Sequence, residues 1–266
     1  MRAVRVEAEG LTTSFRYPHF LVGRQPTFRM PPPATIYGHI CSAAGEHLDP
    51  KGLRFGYTFR TGGSGDDLEL LHMATVGKGR IKELGGIPKN LDVTTNVLPR
   101  EILFQPRLTL YVTADDDDRL TILWRAFREP RYVVTLGRSQ DLMAYRRVDL
   151  VDLQEQSTAY LEGTLLPWSF RQRTTDGIGV NMPRFVDPGN RRNVTWSPFV
   201  MLEGRAHVST EDGVSPGARR ITRTSADESW WIDPDSAEIQ DVRRAVIWHS
   251  FRAEDDGGWA FISPAS

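Results

Sequence analysis

The chain opens on an alternation. Val4, Val6 and Ala8 share one side of Arg2–Gly10 and Arg5, Glu7 and Glu9 the other, which predicts a strand with one wet face. The period then lengthens. Beyond Pro31, Pro32 and Pro33, Ile36, Ile40 and Ala43 fall on one helical stripe beside Tyr37, Cys41, Ala44 and Leu48. A proline at a helix start loses nothing, because that N–H would lack a partner anyway. Gly38 and Gly45 are expected to let neighbouring backbone approach this helix closely. Leu53–Arg60 alternates Phe55, Tyr57 and Phe59 against Arg54, Gly56 and Thr58, a second strand, and the run Gly62 to Gly65 is expected to break it. From Leu68 to Pro99 the layer pattern stops, and two extended arms joined through Gly85 and Gly86 predict a projecting hairpin with too little core to be a domain. Glu101–Ala114 returns to strand alternation, and Asp115 to Asp118 can cap the helix that follows. Leu120, Leu123, Trp124 and Phe127 form its stripe and Pro130 stops it. Arg131–Leu136 is short and β-branched, a further strand, before a sharp turn at Gly137.

The order strand, helix, strand, inserted arm, strand, helix, strand is the βαββαβ plan of a ferredoxin-like α+β domain, an antiparallel sheet with two helices on one face. Residues 1–152 are expected to form it, with the hairpin at about 68–100. Residues 153–266 are less legible: prolines and glycines interrupt Leu165 to Asn193, and only Arg244–Phe251 alternates as a strand. They are expected to be a mainly β or irregular extension packed on the first domain.

Composition adds bounds. The chain has 266 residues, 39% hydrophobic and 25% charged, which places it in the ordinary globular class. The start lacks the continuous apolar core of a signal peptide, and one cysteine, Cys41, gives no disulfide framework, so a cytoplasmic location is the expectation. A net charge of −1 argues against a uniformly basic nucleic-acid binder, but charge is unevenly distributed. Arg119, Arg125, Arg128, Arg131, Arg138, Arg146 and Arg147 are opposed in their span only by Glu129 and Asp141. These arginines are either a local basic surface or an ordinary solvated one.

The segment with the clearest chemistry is the loop that enters the first helix. Arg16, Arg24 and Arg29 alternate there with Phe15, Tyr17, Phe20 and Phe28, stiffened by Pro18 and Pro26. Arginines interleaved with aromatics hold single-stranded nucleic acid by charge and stacking. A standard RNA-recognition motif would display aromatics on its central strands, and Arg5, Glu7 and Glu9 do not fit it. No metal or nucleotide cofactor is implied. His39 and Glu46 lie two helical turns apart, about 10 Å, too far for one ion. No G-x-S-x-G elbow and no phosphate loop occur.

Two segments together carry a resemblance. Phe15-Arg16-Tyr17-Pro18, followed by PTFRMPPPATIYGHICSAAGE, and later Leu136-Gly137-Arg138-Ser139-Gln140-Asp141-Leu142 resemble the opening and closing phrases of the first domain of the Cas-five family of CRISPR-associated proteins. The resemblance covers roughly residues 1 to 150 and is closest in loop style to the subtype I-B lineage. It implies a modified ferredoxin-like domain of the RAMP superfamily with a β-hairpin thumb. It also implies a subunit of a type I Cascade complex in antiviral defence, binding the 5′ handle of CRISPR RNA and contacting the backbone and large subunits. Contact with target DNA through the complex is left open, and no membrane is involved. Carried onto this chain, the RNA-binding candidates are Phe15, Arg16, Tyr17, Arg24, Arg29, Gly137, Arg138 and Ser139, with Lys78, Arg80 and Lys82 on the thumb.

One branch of that family cuts precursor CRISPR RNA without metal, using a tyrosine and a Lys-His pair. This chain has no Lys-His dipeptide, although Tyr17 with His19, or Tyr37 with His39, could serve as acid and base. A non-catalytic role is therefore the expectation. The alternatives are an endoribonuclease and an unrelated small-molecule enzyme on the same fold.

Overall fold

The computed structural model describes residues 1–20, 23–88, 91–190, 193–209, 220–223 and 228–252. The first half contains β1 (Arg2–Gly10), β2 (Thr12–Thr13), α1 (Pro33–Ala44), β3 (Arg54–Arg60), β4 (Gly63–Val76), β5 (Arg80–Ile81), β6 (Ile87–Pro88), β7 (Leu91–Phe104), β8 (Arg107–Thr113), α2 (Asp117–Arg128) and β9 (Met143–Asp152). The second half contains β10 (Gln154–Gln156), β11 (Tyr160–Pro167), β12 (Ile178–Val186), β13 (Val194–Ser209), β14 (Arg220–Thr222), β15 (Trp230–Ile232) and β16 (His249–Ser250). It is a mixed α/β architecture of mostly antiparallel sheets and few helices.

The central sheet runs β16-β3-β8-β1-β9, every neighbour antiparallel. Val4, Val6 and Ala8 of β1 meet Val112, Leu110 and Leu108 of β8, and this face is buried under Ile36 and Ile40 of α1 and Leu120, Leu123 and Phe127 of α2. Asp116 caps α2 by accepting from the Asp118 N–H, as the acidic run suggested. The first helix is shorter than its stripe: it ends at Gly45, in the left-handed conformation at φ 85°, so Leu48 lies beyond it. Of the two glycines expected to admit a neighbour, only Gly45 does. A Cβ there would strike the stem of Arg131, whereas Gly38 faces open space.

Two expected strands are corrected. Arg131–Leu136 is irregular, with Tyr132 and Val133 on the surface, and holds only a bridge from Thr135 to Leu142. The place beside β1 belongs to β9, which pairs along its whole length. Arg244–Phe251 contracts to the two residues of β16, at the edge against β3. The second strand does end at the glycine run, β3 stopping at Arg60, but Gly63, Ser64 and Gly65 at once begin β4. The hairpin is accordingly longer than 68–100: β4 and β7 pair from Gly63 opposite Phe104 to Val76 opposite Leu91. Lys89 lies outside the described residues.

The second half packs on both sides of this frame. Leu165, Met182, Phe199 and Met201 join the core under the helices, and Tyr37 of α1 meets Phe185 and Phe251 edge-on at 5.0 and 5.1 Å. The opposite face of the sheet, expected to be wet at Arg5, is covered. Ala3, Tyr111 and Val151 pack with Val246 and Trp248, and Arg5 is 1% exposed. Its guanidinium donates to Asp233 at 3.0 and 3.1 Å, to Asp149 at 3.1 Å and to Asp235 at 2.9 Å, while the Tyr111 hydroxyl donates to Asp233 at 2.5 Å. Burial would raise the Asp233 pKa, but the Tyr111 hydroxyl and Arg5 outweigh it and hold the carboxyl below its ordinary range.

Removing one partner of a buried pair strands the other charge, so Asp233→Ala should cost about 3 kcal/mol in urea unfolding at pH 7. A depressed folded-state pKa means that this stability is complete above the unfolded value of about 3.9 and is lost as pH falls through the folded value. The gap between wild type and Asp233→Ala should therefore shrink progressively below about pH 4.

Candidate nucleic-acid interface

Residues 15–28 fold back on themselves beside the root of the hairpin. Arg16 bridges Thr27, the Phe28 N–H donates to the Phe15 carbonyl at 2.8 Å, and the Phe15 N–H donates to the Thr27 hydroxyl at 2.7 Å. The returning limb is laced to β7: the Gln25 N–H donates to the Pro99 carbonyl at 2.8 Å and the Glu101 N–H to the Gln25 carbonyl at 2.9 Å. At the helix end, the Tyr57 hydroxyl fixes the Pro31 carbonyl at 2.8 Å. The loop is thus held along both limbs, and what it exposes is set by the protein.

Its aromatics divide into two groups. Phe15 and Phe28 are core residues, Phe15 edge-on to Phe59 at 5.6 Å, so the expectation that they stack on a ligand is corrected: the strand-like turn of the loop points them inward. Tyr17 is half-buried, stacked on Phe28 at 3.7 Å, and burial is the first cause of its raised pKa, followed by the nearby Glu101. Phe20 is 48% exposed and meets Tyr17 edge-on at 6.1 Å. His19 is exposed and stacked on Trp196 of β13, centroids 5.1 Å apart.

The arginines divide likewise. Arg16 is exposed, and no hydrogen bond or ion pair ties its guanidinium among the described residues. Arg24 is paired with Asp66 at 2.8 Å and lies 3.5 Å from Glu101; Arg29 pairs with Glu101 at 3.1 Å. Glu101, buried in β7, also accepts from the Thr27 N–H at 3.1 Å, so one carboxylate gathers the returning limb of the loop. Sequence patterning does not single it out, because its partners come from across the hairpin root.

The turn after the irregular segment meets the same place. Gly137 has φ 99°, and a Cβ there would lie 2.6 Å from the Thr13 hydroxyl and 2.7 Å from the Ser14 carbonyl. Only glycine fits, for conformation and for space. The Thr13 hydroxyl donates to the Leu136 carbonyl at 2.5 Å and the Thr12 hydroxyl to Asp141 at 3.0 Å. Arg138, expected to meet RNA, is corrected to a buttress: its guanidinium donates to Asp141 twice at 2.9 Å, to Glu69 at 2.8 Å and to Asp67 at 3.3 Å. The bond to Asp141 leads the causes that raise its pKa. Arg100 continues the chain, donating to Glu69 at 2.6 Å and to the Ser14 hydroxyl at 3.2 Å. Ser139 is exposed beside this turn, its hydroxyl 3.4 Å from Gln140.

Lys78, Arg80 and Lys82 are exposed at the far end of the arm, a separate patch from the loop at its root. The histidine and tyrosine of α1 are engaged inside the protein. The Tyr37 hydroxyl donates to the Leu48 carbonyl at 2.5 Å, and burial pushes its pKa well above the ordinary value. His39 Nδ1 donates to the Thr135 carbonyl at 2.9 Å, which leaves Nε2 to accept from the Tyr145 hydroxyl at 2.9 Å; burial lowers the His39 pKa. Among the described residues, no group of three His, Cys, Asp or Glu side chains is placed to hold a metal ion. No described helix is long and apolar enough to cross a membrane.

No protein-family model and no curated protein matches the chain. Among solved structures it is similar to a chain of a CRISPR RNA-guided surveillance complex, 18% identical over 81% of this chain and 94% of that one, with a TM-score of 0.44. It is also similar to a CRISPR protein from Archaeoglobus fulgidus, 13% identical over 85% of this chain and 100% of that one, with a TM-score of 0.37. A chain of the Type III-B Cmr-beta complex bound to cognate target RNA and AMPPnP is 12% identical over 77% and 85%, with a TM-score of 0.41. The structural neighbours of this chain are thus CRISPR-associated proteins.

Proposed function

We propose that this chain is a non-catalytic RNA-binding subunit of a type I Cascade complex, of the Cas-five family and nearest subtype I-B. Its task is to hold the repeat-derived 5′ end of CRISPR RNA, with the backbone and large subunits as protein partners, in the cytoplasm. The observation that carries this reading is the meeting of the two motifs. Phe15-Arg16-Tyr17-Pro18 and Leu136-Gly137-Arg138-Ser139 are separated in sequence by the whole hairpin, yet Gly137 lies against Thr13 and Ser14. A single hydrogen-bonded chain joins Asp141, Arg138, Glu69, Arg100 and Ser14. Two phrases of one resemblance therefore build one structural unit.

The central strands support the ferredoxin-like assignment. Ranked by their place in the βαββαβ order, the strands beside β16 run second, third, first, fourth. Arg16, exposed and unpaired among the described residues, is the cation that this unit offers to a phosphate. The cations Lys78, Arg80 and Lys82 at the arm's end form a second contact. The non-catalytic assignment rests on the state of the candidate acid and base groups: Tyr37 and His39 are each engaged in internal hydrogen bonds, and Tyr17 is stacked in the loop.

Arg16→Ala should lower CRISPR RNA retention in complexes purified with their co-encoded subunits by about tenfold, the equivalent of one charge-assisted hydrogen bond of about 1.5 kcal/mol. It should leave the thermal midpoint unchanged, whereas Arg138→Ala strands buried Asp141 and should lower the midpoint as well. Unchanged RNA content in the Arg16 variant rejects the reading. Incubation of the purified chain with repeat RNA in chelator should leave the RNA intact; specific cleavage abolished by Tyr17→Phe or His19→Ala would establish the endoribonuclease instead.

A further inference from the structure

The sequence places every nucleic-acid candidate in the first half of the chain, but the loop does not end at its own residues. β13 carries Trp196, half-buried, to the outer side of the loop, where it stacks with exposed His19 at 5.1 Å and an interplanar angle of 28°. Trp196 is held from behind by its sheet, opposite Pro183 of β12 and beside buried Ser197. Along the same limb stand exposed Phe20, edge-on to Tyr17, and the guanidinium of Arg16, unpaired among the described residues. Most of the loop's aromatic surface is spent inside: Phe15 and Phe28 are buried and Tyr17 lies on Phe28. The His19–Trp196 pair is different, because exposed His19 is backed by the ring of Trp196.

We propose that the His19–Trp196 stack is a base-stacking station for single-stranded RNA, so that the second half of the chain supplies one wall of the RNA site. The inference deepens the reading above and rests on it. A nucleobase laid on His19 extends an imidazole–indole stack by one plane, without sequence-specific hydrogen bonds, and Arg16, three residues earlier on the same limb, is the cation for a neighbouring phosphate. Base–aromatic stacking of this kind tolerates any base because every base has a π-face. Such a station also accounts for an exposed histidine stacked on a tryptophan beside the one loop arginine that has no carboxylate partner among the described residues.

The test uses the full chain and a fluorescein-labelled, mixed-sequence single-stranded RNA 12-mer, with anisotropy and thermal unfolding measured in parallel. Trp196→Ala should weaken binding by about tenfold, within the range measured for one stacked base. Trp196→Phe, which keeps a ring, should restore most of it, and His19→Ala should weaken binding to a similar degree with little change in thermal midpoint. Wild-type affinity in Trp196→Ala, alongside weakened binding in Arg16→Ala, overturns the station and leaves the functional reading standing. Equal loss in Trp196→Ala and Trp196→Phe, tracking a fall in midpoint, overturns it as well, since the pair then only clips the loop to the sheet. No binding by the wild-type chain overturns both.

Discussion

One buried carboxylate–guanidinium contact organises the first half of this molecule. Asp141 is almost completely buried and grips Arg138 through both oxygens, while the same guanidinium reaches Glu69 on β4. Glu69 in turn takes Arg100 from β7, and Arg100 touches Ser14 at the mouth of the loop. Turn, hairpin and loop are separate in sequence but each sends side chains into the main core, Leu136 from the turn, Leu103 from β7, and Phe15 and Phe28 from the loop. The ionic chain adds to the backbone bonds between Gln25 and β7 and to the Thr13–Leu136 contact in fixing their relative orientation. Burial raises the pKa of Glu69, but the two guanidiniums overcome it and hold it below the ordinary range, the signature of a carboxylate that is kept charged by its partners.

A second buried ion cluster performs the corresponding task on the far face of the sheet. In an isolated four-stranded RNA-binding sheet this face would be open to a ligand. Here Arg5 recruits Asp233 and Asp235 from the second half, and Trp231, Val246 and Trp248 close over it. This face of the sheet is therefore closed to any ligand, and the loop and hairpin keep their exposed side chains. Covering the sheet stabilises the frame, and the frame leaves Arg16, His19 and Phe20 of the loop exposed.

Much of the first half was legible because its strands and helices keep one period. Val4, Val6 and Ala8, or Leu120, Leu123 and Phe127, report burial directly. β9 escaped because it does not keep a period. A bulge opposite Glu7 and Ala8 inserts Arg146, so Met143 and Tyr145 face the core and then Val148 and Leu150 do, with the parity switched between them. Arg5 misled for a different reason: an arginine on a strand reads as solvated unless its acidic partners are known, and two of these, Asp233 and Asp235, lie more than two hundred residues away. In the loop, spacing picks out the segment but not the direction of its side chains. Phe15 and Phe28 turn inward, Arg24 and Arg29 are neutralised by Asp66 and Glu101, and Trp196 arrives from a strand that the pattern left unread.

The long ladder of β4 and β7 has a consequence for how its length can vary. Residues opposite each other share a face, so Leu68, Leu70 and Ala74 stand with Val93, Val97 and Pro99 on one side, while Leu71 and Met73 stand with Thr94 and Asn96 on the other. Adding two residues to each limb carries the cationic end outward by about 7 Å and preserves both faces. Adding one to each turns over every side chain beyond the insertion. The reach of the arm is in this sense quantised: sequence drift can lengthen or shorten it only in even steps if its two faces are to keep their character.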